Sequence, residues 1–137
     1  MAEPSGDSGS RAEQVRAIIA GVARMDRARG GVLVAPDGFV IDAQLRPDIA
    51  VEPLAAVAAA LGRELELGAD RLSRGMAGTA FFSAQDGGLF LGGSPVGFLA
   101  VVAEPDADVQ QMRNAVKQAL DALQQIWRAG DHRGDRL

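Results

Sequence analysis

Protein chemistry usually rests on histidine, cysteine, lysine, tyrosine or paired carboxylates, and this sequence carries few of them. Cysteine and tyrosine are absent, and there is one histidine, His132, and one lysine, Lys117. Without cysteine there are no disulfides, thiol nucleophiles, cysteine-zinc sites or iron–sulfur clusters. A phosphate-binding loop needs exposed glycine N–H groups beside a lysine, but Lys117 follows Val116 inside a helical pattern with no glycine nearby. The run Gly92-Gly93-Ser94-Pro95-Val96-Gly97 joins two strand-like segments and opens no helix, so it reads as a turn. A serine triad needs an ordered base. His132 falls in a polar tail, which leaves Ser73, Ser83 and Ser94 without an activator.

Two carboxylate groupings remain. Asp37 and Asp42 flank a turn, while Glu104, Asp106 and Asp108 precede a helix, where negative charge offsets the macrodipole by about 0.3–1 kcal/mol. Both read as turn and capping chemistry, and neither has the ligand spacing of a calcium loop. Arg71 and Arg74 are the loop cations that could serve a hydrolytic finger, and they read as solvated. No catalytic, metal-binding or cofactor-binding residue is assigned, and no cofactor is expected.

A chain of 137 residues with 47% apolar and 23% charged residues has the size and balance of one globular domain. Its net charge is −4, and the longest basic cluster (Arg24, Arg27, Arg29) is interrupted by Asp26. Nucleic acid is therefore not an expected partner. No apolar run approaches the roughly 20 residues that span a bilayer, and Met1 to Ser10 lacks a signal-peptide core. A cytoplasmic location without membrane insertion is expected.

The elements that would position any site follow from periodicity. Residues 1–9 and 128–137 are polar tails expected to be disordered, leaving 10–127 as the domain. The tail tripeptide Arg133-Gly134-Asp135 reads as chance. Ser10 and Glu13 form a capping box, behind which Val15, Ile18, Ile19, Val22 and Met25 predict a helix to about Ala28, stopped by Gly30-Gly31. Val32–Ala35 and Phe39–Ile41 predict a hairpin around Pro36-Asp37-Gly38. A second helix is predicted from Val51 to Leu67. Met76–Ala84, Leu89–Leu91 and Val96–Ala103 predict a three-strand meander, and Asp108 with Gln111 caps a final helix. The order α-β-β-α-β-β-β-α predicts an α+β fold, a five-stranded antiparallel sheet with helices on its faces.

The second helix shows two stripes at about 100° per residue. Leu54, Val57, Ala58, Leu61 and Leu65 are expected to face the core. Ala55, Ala59 and Gly62 form a stripe of small residues that would let a second helix approach to the short end of the about 8–10 Å range. Glu52, Ala56, Arg63 and Leu67 occupy the remaining outward face.

Val32-Leu33-Val34-Ala35-Pro36-Asp37-Gly38-Phe39-Val40-Ile41 resembles the hairpin of the roadblock family, related to the dynein light chain of that name. Val96-Gly97-Phe98-Leu99-Ala100-Val101-Val102-Ala103-Glu104-Pro105-Asp106-Ala107-Asp108 resembles that family's last strand running into its final helix. The resemblance covers about residues 11–127. It implies a dimer in which the second helix and third strand meet their counterparts. Its bacterial branch includes regulators of Ras-like small GTPases that supply no catalytic arginine finger. The implied dimer interface is Ala55, Ala59, Gly62, Thr79 and Phe81, the last two on a strand edge closed by its twin. The implied GTPase-binding surface is Glu52, Ala56, Arg63 and Leu67. The expected function is thus a homodimeric, non-enzymatic regulator of a small GTPase. The alternative is a dimeric scaffold that tethers a larger assembly regardless of nucleotide state.

Overall fold

The computed structural model describes residues 10–75 and 78–135, with side chains to Ala129. The expected disorder of residues 1–9 lies outside that range. Among the described residues the order is α1 (Arg11–Ala23), β1 (Ala28–Val34), β2 (Val40–Leu45), α2 (Val51–Arg71), β3 (Thr79–Ala84), β4 (Gly87–Gly93), β5 (Phe98–Ala103) and α3 (Val109–Asp135). The five strands form one antiparallel sheet in the order β2-β1-β5-β4-β3. This is the expected fold class and element order.

The capping box is present. Ser10 Oγ accepts from Glu13 N at 3.2 Å, and Glu13 Oε1 accepts from Ser10 N at 2.9 Å. Helix α1 nevertheless ends at Ala23, not near Ala28, because the chain turns there and Arg27 adopts a left-handed φ of 69°. Gly30 and Gly31, expected to stop the helix, instead lie inside β1. A Cβ on Gly30 would stand 2.5 Å from the Gln44 carbonyl oxygen of β2, at a shift in the β1–β5 register. Glycine here permits close approach of two backbones, which periodicity does not distinguish from a stop.

The hairpin turn forms as its residues dictate. Asp37 Oδ1 accepts from Phe39 N at 3.1 Å, and Gly38 takes a φ of 94°. Helix α2 continues past Gly68 to Arg71. Residues Met76 and Ala77, expected to begin the third strand, lie outside the described range. Helix α3 reaches Asp135, so the segment from Arg128, expected to be loose and to contain the Arg133–Asp135 tripeptide, is helical to that point.

Alternation along the strands divides the core into two layers. Leu33, Phe90, Leu99 and Val101 face α1 and α3, where Ile19, Met112, Val116 and Leu123 meet them. Val32, Val34, Leu91, Phe98 and Ala100 face α2. Because α1 and α3 share one face, α2 covers the other alone, and the outer part of that face near β3 is left without a helix.

Candidate interaction surface on the second helix and the edge strand

The inward face of α2 is its small stripe. Ala55, Ala58, Ala59 and Gly62 are its buried residues. A Cβ on Gly62 would lie 2.5 Å from the ring of Phe98. Within the single chain Ala55, Ala59 and Gly62, expected to face a second helix, let α2 descend onto its own sheet. The bulk in that layer comes from the strands, through Phe98 and Leu91, so the helix above them must be thin.

Of the stripe expected to face the core, Ala58 is buried as expected and Val57 turns outward. Val57 is 48% exposed, and Leu54, Leu61 and Leu65 are half-buried at the margin of the cluster. Leu89 of β4 lies at the same margin and pairs with Phe82 of β3, which is 39% exposed on the same side of the sheet. These residues carry apolar surface left in water by the single chain. Sequence pattern missed them as surface because an aliphatic helical stripe ordinarily marks the core, and only the bulk of Phe98 reverses that assignment.

The edge strand β3 behaves partly as expected. It is the outermost strand, paired on one side only, and Thr79 is exposed on it. Phe81, expected at the interface, is instead half-buried on the α1–α3 side. Its ring stacks on Phe90 with centroids 4.5 Å apart at an interplanar angle of 29°.

Glu52, Ala56, Arg63 and Leu67 are all exposed, as an outward face requires. Arg63 donates through Nη1 to the Pro36 carbonyl, tying α2 to the hairpin. Glu52, Ala56 and Arg63 border an open cleft of about 320 Å³ with Asp37 and Gly38. Arg71 closes α2 and Arg74 follows it, both exposed.

The carboxylates have structural partners. Asp37 holds its turn, Asp42 lies 3.7 Å from Arg16, and Asp108 caps α3 by accepting from Gln111 N at 2.9 Å. Asp106 lies 3.6 Å from Arg27, and Glu104 bonds Arg46 at 3.2 Å. Ser94 Oγ is held in its own turn, donating to the Gly97 carbonyl at 2.9 Å. Among the described residues no three metal-ligating side chains converge, and no helix is long and apolar enough to cross a membrane. What the surface offers is contact: an apolar helix flank, an unpaired strand edge, and a polar helix face beside a hairpin.

No protein-family model and no curated protein sequence matches the chain. Solved structures do. Myxococcus xanthus MglB superposes with a TM-score of 0.79 at 17% identity, covering 88% of this chain and 92% of that one. The gliding protein MglB of Thermus thermophilus gives 0.74 at 20% identity, over 86% and 91%. A Roadblock/LC7 domain from Streptomyces avermitilis gives 0.69 at 21% identity, over 79% and 92%. With the sheet order and helix placement described above, these likenesses establish the architecture: the chain has the roadblock fold.

Proposed function

We propose that this protein is a homodimeric regulator of a small Ras-like GTPase, working by contact and supplying no catalytic residue. The observation that carries the reading is the uncovered apolar surface on the α2 side of the sheet, beside an unpaired strand edge. A second copy would cover both, pairing β3 with its twin and burying Leu54, Val57, Leu61 and Phe82. The edge residue Thr79 stays in this interface, while Ala55, Ala59 and Gly62 support it from beneath. Two α2 helices would then lie on one side of a continuous sheet, each presenting Glu52, Ala56, Arg63 and Leu67. The likeness to MglB and to the roadblock domain supports a regulator over an enzyme, and the scarcity of reactive side chains agrees with it. A cytoplasmic setting follows for a partner of that kind.

The test is capture of a GTPase by the immobilised protein, with GDP or a non-hydrolysable GTP analogue added. Preferential recovery with the analogue supports the regulator, and hydrolysis assays then divide activator from effector. Equal recovery in both states favours the scaffold. Recovery of no GTPase overturns the reading while leaving the fold intact.

A further inference from the structure

A second cleft lies on the other face of the sheet, away from α2. It has a volume of about 450 Å³ and runs between α3, the start of β3 and the β4–β5 turn. That volume falls within the about 300–1,000 Å³ range of small-molecule sites. Its helical wall is a stripe of α3 residues spaced three and four apart. Arg113 and Lys117 sit one turn from each other on this stripe, and Asp121 lies one turn beyond. Among the described residues neither Arg113 nor Lys117 makes an ion pair or a hydrogen bond, and Asp121 makes none either. The cleft thus concentrates two unneutralised cations, one of them the chain's single lysine, in a protein of net charge −4.

The remaining wall chemistry narrows the ligand. Gln110, Asn114 and Gln124 supply neutral amides that both donate and accept. Gly78, Thr79, Gly93, Ser94 and Pro95 make the opposite wall, and Leu120 of α3 adds an apolar patch. No aromatic side chain lines the cleft, so a nucleobase would have nothing to stack on. An anionic head suits Arg113 and Lys117. Asp121 repels an anion at its own end and accepts from hydroxyl groups, and the amides suit hydroxyls as well.

We infer that this cleft binds a small polyhydroxylated anion, its phosphate or carboxylate head held by Arg113 and Lys117 and its hydroxyls by the amides and Asp121. The site shares no residue with the proposed GTPase surface on α2 and meets the proposed dimer interface only at Thr79. It touches β3 only at Thr79, so occupancy would be felt at the strand edge.

The experiment is a titration of the isotope-labelled full chain, followed by amide chemical shifts, with glucose 6-phosphate, gluconate and glucose as probes. Saturable shifts at Thr79, Ser94 and along the α3 stripe with either anion support the site, and the stronger of the two identifies the head group. The double variant Arg113→Gln, Lys117→Gln should weaken that anion by about tenfold or more. Both positions are exposed, so its melting temperature should match the parent. Three results overturn the inference. One is the absence of saturable shifts with both anions, and another is glucose binding as tightly as they do. The third is a change of oligomeric mass in the double variant, which would make the cleft a contact between copies.

Discussion

The ring of Phe98 stands where a side chain on Gly62 would have to go, 2.5 Å from the position of that Cβ. This pair sets how deeply α2 sits on the sheet. Alanine at an exposed helix position is favoured over glycine by about 0.8–1.0 kcal/mol, whereas overpacking a core costs about 1–3 kcal/mol. The ring is attached to β5 and has no easy retreat, so the clash prevails. Gly62→Ala should lower stability, by up to about 2 kcal/mol net. Gly68→Ala, in the same helix with nothing within 4 Å of its Cβ, should raise it instead. Urea denaturation of both variants reads the opposite signs, and stabilisation of both would mean that α2 does not rest on Phe98.

If two copies pair across α2 as proposed, a charge on its outward flank should separate them without unfolding them. Val57→Arg places a guanidinium at a position already 48% exposed, so the monomer tolerates it, while an apolar interface does not. Size-exclusion with light scattering should show monomer mass and an unchanged circular dichroism spectrum. Ala59→Arg, at 2% exposure under the helix, should instead unfold or aggregate the chain. If Val57→Arg keeps a dimer's mass, the interface lies elsewhere.

The difference between those two residues also marks how far the sequence could be read. Turn chemistry at Asp37 and Gly38, the Ser10–Glu13 cap and the strand alternation are local, and the neighbours that cause them lie within a few residues. They were legible, and with them the element order and fold. The inward place of Ala58 was legible, but that Ala55, Ala59 and Gly62 lie deepest beside it was not, because that depends on Phe98, which lies in a different element and reaches α2 only after the sheet has formed. Gly30 failed for the same reason: its role comes from the Gln44 carbonyl across the hairpin, and in isolation a glycine pair reads as a helix stop. The outward residues Glu52, Ala56, Arg63 and Leu67 were legible as exposed, since a polar face needs no knowledge of what lies beneath it.

Four charges close the end of the sheet where β1, the β2–α2 loop and the β5–α3 loop meet. Arg29 bonds Asp48 and lies 3.9 Å from Glu104, which also accepts from Arg46 at 3.2 Å. Arg29 and Glu104 are 26% and 27% exposed, so this pair is less screened than an ordinary surface bridge. The Arg29 Nε atom is buried without a hydrogen bond and depends on the nearby carboxylate. Glu104→Gln should destabilise by about 1–2 kcal/mol, since it leaves Arg29 beside Arg46 with one counter-ion fewer. Asp106→Asn, whose partner Arg27 is more than half exposed, should cost less than about 0.5 kcal/mol. Urea midpoints read at low and high salt check this, with the Glu104 effect the larger and less salt-dependent of the two.

Phe81 and Phe82 are neighbours in sequence on opposite faces of the edge strand, and their substitution should have opposite consequences. Phe81 stacks on Phe90 against the α1–α3 layer, and its ring also covers Gly88, whose Cβ would lie 2.6 Å from it. Phe81→Ala removes the stack, worth about 0.5–1.5 kcal/mol, together with the burial of a half-buried ring. The fold should lose about 2–3 kcal/mol, with any effect on assembly following from that loss. Phe82 is 39% exposed and pairs with Leu89 on the α2 side of the sheet, at the outer part of that face that α2 does not reach. Phe82→Ala should leave the monomer's stability within about 1 kcal/mol. If two copies meet at this strand, it should raise the dimer dissociation constant by about tenfold or more, since a desolvated aromatic is a common anchor of an interface. Sedimentation equilibrium beside urea denaturation separates the outcomes. A dimer weakened by Phe81→Ala at unchanged monomer stability would place the interface on the opposite face of the sheet.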